Sequence, residues 1–249
     1  MIIFLLKIMK CFKYFLFGLL SLSCLLSCSD KDENANKIEK VEEENQKVRI
    51  DEELEVAETC FEKGDIANAL DAYMKVIKDF PDNEIADSKI RYVLMQTPRM
   101  LHKKLTTSTV PDLLNVLGEM IKVKPDIGEA YYALGMIYGR ELGNMEAAVL
   151  CFEKAESCNF EKTATYYDDM GVSYGIAGDF EKSIQALEKA IEAYNNNLQR
   201  TDMSDEQRTE NYEKLINTYS NLGSTYINLG DNAKGQEYIA KGESLKQKK

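Results

Sequence analysis

One short string of residues occurs three times along the chain and limits the folds that the chain can adopt. It reads Tyr, two variable residues, Leu or Met, Gly, two variable residues and Tyr, and it begins at Tyr131, Tyr167 and Tyr219. Self-similarity of this kind is typical of repeat architectures, in which each unit buries its apolar face against its neighbours. We therefore expect an array of similar units.

Each string is followed by a glycine turn and by a second apolar stretch with small residues at a fixed offset. This pattern predicts two helices per unit, A and B, which approach closely at the glycine inside the string. It resembles the tetratricopeptide repeat, with Tyr in place of the first Trp of that repeat. The resemblance implies an all-α, right-handed α-solenoid of about five helix pairs. The turn glycines are Gly143, Gly178 and Gly230, and the small residues are Ala148, Ala155, Ser183, Ala190, Gly235 and Gly242.

The repeat pattern divides the chain into a signal peptide at 1–27, a charged linker or short helix at 28–50, and a solenoid at 51–249. The second unit is degenerate, and we expect its helix A to break at Thr97–Pro98, since proline removes a backbone donor. The five expected units span residues 51–83, 84–126, 128–162, 164–200 and 205–249.

The last two strings are unusually far apart. Their central glycines, Gly171 and Gly223, are separated by 52 residues, against about 34 in a regular repeat. Apolar residues recur every three or four positions in the first and last parts of the stretch between these glycines, as expected of helices. Ser204–Gln207 has the form of a capping box, which marks the start of a helix. We expect two antiparallel helices of about 20 residues that project beyond the solenoid. The hairpin is interpreted either as a partner-specific element or as a tolerated helix extension.

The first 27 residues are basic near the front and then apolar, which is the layout of a secretory signal. They end in Leu25-Leu26-Ser27 before Cys28, a sequence that resembles the lipobox of bacterial lipoproteins and implies lipidation of Cys28. The alternative is an uncleaved transmembrane anchor. Met9 is an alternative start that would shorten the segment.

Charge is distributed unevenly, and this asymmetry predicts the topology. Lys7, Lys10 and Lys13 are the only charged residues of the leader, whereas the whole chain carries a net charge of −11. By the positive-inside rule the acidic body lies outside the cytoplasm. The polar residues after Cys28 read as a solvated tether or the start of a short helix. Their acidic cluster resembles the surface-export signals of some lipoproteins, although acidic tethers are common.

The composition excludes several classes of function. An acidic chain lacks the clustered cations that nucleic acids require. His102 is the only histidine, so a histidine dyad, a multi-histidine metal site and a Ser/His/Asp triad are hard to build. Cys60, Cys151 and Cys158 lie among apolar positions and are interpreted as small core residues. We expect no catalysis, no cofactor and no metal.

In the family that the string resembles, the inner face of helix A lines a channel for an extended peptide or a partner helix. The resemblance therefore implies a channel that runs from aromatic and thioether groups, through acidic groups, to amides and hydroxyls. Such a surface favours a neutral or basic extended segment. The predicted inward residues are Tyr132, Met136, Arg140, Asp168, Asp169, Val172, Asn217, Ser220, Asn221 and Ser224.

These features together predict a lipid-tethered scaffold of the bacterial cell envelope that binds other envelope proteins and faces the periplasm or the cell surface. One alternative is an accessory subunit of an outer-membrane protein assembly machine, since residues 61–86 are similar to the first repeats of such a lipoprotein. Another is a periplasmic transport accessory protein that binds a ligand or a solute-binding partner.

Overall fold

The computed structural model describes residues 31–104, 106–158 and 160–246, and these residues are helical apart from short connections. They divide into two compact units at the boundary between Glu55 and Val56. The part of the chain that the structure describes contains helices α1 Lys31–Glu62, α2 Ile66–Asp79, α3 Glu84–His102, α4 Val110–Val123, α5 Gly128–Met136, α6 Met145–Glu156, α7 Ala164–Ala177, α8 Phe180–Leu198, α9 Asp205–Leu229 and α10 Asn232–Lys246, and a π-helical turn, Ile137–Glu141, continues α5.

The first unit is a helical segment. Residues 28–50 were expected to be either a charged linker or a short helix. The structure has a helix from Lys31 onward. Most side chains between residues 39 and 55 are exposed. The leader, including Cys28, lies outside the described residues. Among the described residues, no helix combines the length and the apolar character that crossing a membrane requires.

The second unit confirms the predicted array of about five helix pairs. Helices α3, α5, α7 and α9 are A helices, and α2, α4, α6, α8 and α10 are B helices. The last part of α1, where Ala57 is fully buried, takes the position of the first helix A. Among the A helices, α3 contacts α5 and α7 contacts α9, and among the B helices α2 contacts α4. Side chains join α5 to α7, since the hydroxyl of Tyr132 donates to Asp169.

The turns between A and B confirm the role predicted for glycine. Gly64, Gly143, Gly178 and Gly230 all have φ between 65° and 99°, which L side chains rarely adopt. The residue after each of them caps helix B: its side chain accepts a hydrogen bond from a backbone N–H three positions on. The capping residues are Asp65, Asn144, Asp179 and Asp231.

The central glycines bring helix A against helix B. A Cβ on Gly171 would lie 2.7 Å from Cγ of Leu187 on α8, and a Cβ on Gly223 would lie 2.7 Å from the carbonyl oxygen of Gly235 on α10. Neither position has room for a side chain. These glycines therefore set the distance between the helices of a pair.

The expected break at Thr97–Pro98 was wrong, because α3 runs through both residues to His102. Pro98 has no N–H for the carbonyl of Leu94, and a proline inside a helix usually kinks or breaks it. The helix continues because the side chains before the proline are packed in the interior: Val93, Leu94 and Thr97 are 0–1% exposed. The hydroxyl of Thr97 also donates to the carbonyl of Val93 at 2.8 Å. The connection after α3 is also held, since Thr106 donates to the carbonyl of Gly64 at 2.8 Å.

The long hairpin is confirmed as two helices, α8 of 19 residues and α9 of 25 residues. Ser204 and Gln207 form the predicted capping box. The extension does not project freely along its whole length, because Tyr194 and Leu215 are both 1% exposed and pack with Ala164. The extra turns therefore enlarge the core at the start of α7.

Candidate partner-binding face

The candidate site lies on the A helices of units three to five: α5 with its π-helical turn, α7 and α9. We call the face formed by the ten inward residues predicted from the sequence the helix-A face. Asp168 and Asp169 lie on α7, where Asp169 contacts Tyr132 of α5 and Asp168 lies beside Thr218 and Asn221 of α9. Adjacent helical residues point in different directions. The two carboxylates accordingly have different partners.

Asp169 joins α7 to the preceding helix A. Its Oδ2 accepts a hydrogen bond from the hydroxyl of Tyr132 at 2.7 Å, and its Oδ1 lies 2.6 Å from Nη2 of Arg140. The carboxylate is 5% exposed, and burial raises its pKa above the ordinary value. Arg140 and Tyr132 act in the opposite direction, because both stabilise the charged form.

Asp168 faces the following helix A. Burial and the charge of Asp169 raise its pKa to about 6, although Thr218 and Asn221 on α9 lower it by hydrogen bonding. Its Oδ1 is buried and has no hydrogen-bond partner among the described residues. A buried carboxylate oxygen without a donor is costly. Asp168 is therefore the least satisfied polar group on this face.

Three of the predicted channel residues are interior in the structure. Tyr132 is 2% exposed, and its ring lies 5.4 Å from that of Tyr166 in edge-to-face geometry. Met136 is buried in the same cluster, and Asp169 is buried as described above. These three side chains lie beneath the accessible surface of the helix-A face.

The remaining predicted residues are more accessible. The side chain of Arg140 is 47% exposed, Asn217 and Ser224 are exposed, and Val172, Ser220 and Asn221 are half-buried. The hydroxyls of Ser220 and Ser224 donate to carbonyls of their own helix, at 3.2 Å and 2.9 Å. The accessible hydrogen-bonding groups of the face are thus mainly a guanidinium and amides.

Sequence reasoning missed two residues of this face. Buried Thr218 lies beside Asp168, and the charge of Lys214 lowers the pKa of Asp169. Nζ of Lys214 lies 3.0 Å from Glu210 and 3.5 Å from the hydroxyl of Thr165. Lys214 and Thr218 precede Asn221 by seven and three positions, so helical spacing alone was a sufficient signal.

The described residues contain no group of three or more His, Cys, Asp or Glu side chains that could hold a metal ion. Cys60, Cys151 and Cys158 are free thiols in this part of the chain, and burial raises the pKa of Cys151 to about 11. A thiol of that kind is a poor nucleophile at neutral pH.

A separate cleft of about 510 Å³ lies between α3 and the C-terminal end of α6. Its cations are Arg91 and Lys154. The guanidinium of Arg91 is already paired with the carboxylates of Asp87 and Glu129, both at 2.8 Å. The charge of Arg91 is therefore already compensated within the protein.

Comparison with known sequence families supports the repeat assignment. Family models of the tetratricopeptide repeat match residues 59–83, 128–159, 164–197 and 216–249. Together these segments make up half of the chain and fall within four of the five units. None of the curated proteins compared with the chain matches it.

Comparison with solved structures supports the same fold. The chain is similar to a crystal structure of the MamA protein, with 22% identity, a TM-score of 0.53, and coverage of 80% of this chain and 93% of that one. It is also similar to MamA residues 41 to the end from Desulfovibrio magneticus RS-1, with 15% identity, a TM-score of 0.51, and coverage of 81% and 97%. At this level of identity, the likeness concerns the fold alone.

Proposed function

Because the chain belongs to the tetratricopeptide-repeat family, a family of scaffolds that bind proteins and peptides, we propose that it binds an extended segment of a partner protein along the helix-A face. We further propose that it does so as a lipid-tethered protein of the bacterial cell envelope. The observation that carries the binding proposal is Asp168, a carboxylate with one unpartnered oxygen at the middle of three adjacent A helices.

The chemistry of the face favours a segment that is neutral or basic. Asp168 provides a negative charge, and Asn217 and Asn221 provide amides that can both donate to and accept from a peptide backbone. A cation near Asp168 would favour the ionised carboxylate, whose charge the buried site now disfavours. Binding would therefore relieve part of the cost of keeping Asp168 charged.

The support for the tether comes from the leader. The sequence from Leu25 to Cys28 resembles a lipobox, and three lysines precede the apolar run. A lipid on Cys28 would place the repeats next to a membrane surface, where segments of other envelope proteins are available. The alternative functions, outer-membrane assembly and transport, differ in the partner that this face would hold.

Site-directed photo-crosslinking in envelope fractions tests the binding proposal. A crosslinking residue at exposed Asn217 on the helix-A face is compared with one at exposed Glu192 on α8. We expect Asn217 to capture defined segments that contain Lys or Arg, with capture reduced about tenfold or more by Asp168→Lys, since like charges repel. The identity of the captured protein then separates the alternative functions.

The control substitution is Glu192→Lys, which makes the same charge change on a helix B. Equal capture from positions 217 and 192, or equal loss in Asp168→Lys and Glu192→Lys, would contradict binding at the helix-A face.

A further inference from the structure

The third unit contains one more residue between its central glycine and its turn glycine than its neighbours. Gly143 follows Gly135 by eight positions, whereas Gly178 follows Gly171 by seven. The fifth unit, from Gly223 to Gly230, also has a spacing of seven. The units are otherwise alike in this stretch. The difference is therefore a single-residue insertion within helix A.

Backbone hydrogen bonds locate the insertion. In the fourth unit the N–H of the capping residue Asp179 bonds to the carbonyl of Tyr174, five positions back. In the third unit the corresponding N–H of Asn144 bonds to Tyr138, six positions back, at 2.8 Å. The extra residue is absorbed by the π-helical turn Ile137–Glu141. A single π-helical turn within an α-helix is a known way to accommodate such an insertion.

The π-helical turn carries the cation that pairs with Asp169. Arg140 is the fifth residue after its central glycine, and its counterpart in the regular helix of unit four, Ile176, is 63% exposed. Arg140 instead reaches across to the next helix A and contacts Asp169 at 2.6 Å. The residue five positions after the central glycine thus contacts the next helix A in unit three, which has the insertion. In unit four, which lacks the insertion, the corresponding residue is largely exposed to solvent.

We propose that the inserted residue makes Arg140 a positioning residue: the π-helical turn directs its guanidinium onto Asp169, so that Asp168 remains the carboxylate of this face without an ion pair. Asp168 has no ion pair among the described residues, whereas Asp169 has one. Without Arg140, two adjacent buried carboxylates would repel each other. With it, the face offers one negative charge. This role of Arg140 rests on the proposed function, because the single charge of Asp168 matches a single cationic side chain of the bound segment.

Several groups surround Asp169, and Arg140 is the cation in direct contact with it. Asp168 on the same helix is close enough for the charges of the two aspartates to interact. The hydroxyl of Tyr132 on α5 donates a hydrogen bond to Asp169. Lys214 on α9 supplies a second positive charge, which is shared with Glu210. Tyr194 on α8 is close enough for its own pKa to be raised by both aspartates. Moving Arg140 alone should therefore change the pKa of Asp169 measurably.

Deletion of one residue tests the proposal. Deleting Glu141, or independently Leu142, restores the spacing of seven and leaves Arg140 in place along the sequence. The control is Glu141→Ala, which removes the same side chain but keeps the length. We expect carboxyl-detected NMR titration to show a rise of about one unit or more in the pKa of Asp169 in the deletions and in Arg140→Gln, and none in Glu141→Ala.

Rescue separates positioning from a purely structural effect. Asp169→Asn removes the charge that Arg140 compensates, so it should restore much of the stability lost in the deletions and in Arg140→Gln. An unchanged pKa of Asp169 in the folded deletions would overturn the proposal. The proposal would also be overturned if the deletion variants do not fold and Asp169→Asn does not restore folding. That result would mean that folding requires the π-helical turn itself, independently of the charge of Asp169. These measurements require no partner, so they can fail independently of the binding proposal.

Discussion

Arg140 and Asp169 form an ion pair between two consecutive A helices, with Nη2 and Oδ1 2.6 Å apart. One partner is about half exposed and the other is buried. The pair gives Asp169 a counter-charge, and the hydroxyl of Tyr132 occupies its second oxygen. Asp168, the preceding residue, has no ion pair among the described residues, and its Oδ1 has no hydrogen-bond partner there. The contrast between two adjacent aspartates underlies the predictions on pH and binding.

Asp168→Asn should stabilise the protein at neutral pH. Burial and the charge of Asp169 raise the pKa of Asp168 to about 6 from an ordinary value of 3.8. Between these values the folded state binds more protons than the unfolded state, so stability falls as pH rises through this window. We expect the free energy of unfolding of the variant to exceed that of the wild type by on the order of 1–3 kcal/mol above pH 6.

Urea unfolding at about pH 3.5 and about pH 7.5 checks this sign. The two proteins should be nearly equal in acid and diverge at neutral pH, whereas Glu192→Gln should differ from the wild type at neither. A variant that is less stable at neutral pH would mean that the charged form of Asp168 is favoured by folding. The stabilised variant should capture less partner, which is the usual trade between stability and function.

Gly223→Ala should destabilise the fifth unit. The added methyl would lie 2.6 Å from Cγ1 of Ile239 and 2.7 Å from the backbone oxygen of Gly235, and a backbone atom cannot rotate away. We expect a loss of about 1–3 kcal/mol, since overpacking forces helices apart. Thermal or urea unfolding measures the loss.

Gly118→Ala is the matched substitution, because Gly118 is also helical and a Cβ there would meet nothing within 4 Å. It should raise stability by roughly 0.5–1 kcal/mol through the higher helix propensity of alanine. Equal changes in the free energy of unfolding for Gly223→Ala and Gly118→Ala would contradict the close helix packing at Gly223.

Arg208→Ala should loosen the tip of the long hairpin. Its guanidinium donates to the carbonyl of Leu198 at 2.6 Å and to that of Arg200 at 2.8 Å, at the end of α8. Unsatisfied carbonyls at a helix end are costly unless they are capped. We expect faster amide hydrogen exchange in residues 196–204 with little change in the global unfolding midpoint.

Arg200→Ala serves as the comparison for the hairpin tip. It breaks an exposed ion pair with Asp202, and such pairs contribute about 0–1 kcal/mol. Exchange at the tip that rises equally in both variants would argue against a specific capping role for Arg208.

Cys28→Ser should release the protein from membranes if the leader is a lipoprotein signal. The thiol carries the lipid in this interpretation, and a serine hydroxyl does not replace it. Membrane fractionation and fatty-acid labelling measure the effect. Cys24→Ser is the control and should leave both unchanged. Labelling that persists in Cys28→Ser would refute lipidation at that residue.

The local features of the fold could be predicted from the sequence. The recurring string, the glycine turns at Gly178 and Gly230 and the capping box at Ser204 depend on residues within a few positions of one another, and all are present in the structure. Backbone conformation and helix capping are decided over such short distances. For this reason the number of helix pairs and the unusual length of α8 and α9 followed from periodicity.

Contacts between units could be anticipated only in part. The sequence placed Asp168 and Asp169 on the same face but did not distinguish them, since their difference depends on Arg140 from the preceding unit and on Thr218 from the following one. Thr97 and Pro98 show the same limit. A local rule predicts a break there, whereas the packing of buried side chains, Thr97 among them, keeps the helix continuous.

Short-range patterns were thus sufficient to predict the repeat, its turns and the acidic residues of the helix-A face. Three features could be learned only from the packed helices: which carboxylate is paired, which predicted residues are buried, and how the inserted residue of unit three is absorbed. These depend on the distances between side chains of different helices. Such distances are set when the helices pack, and no single unit of the sequence contains them.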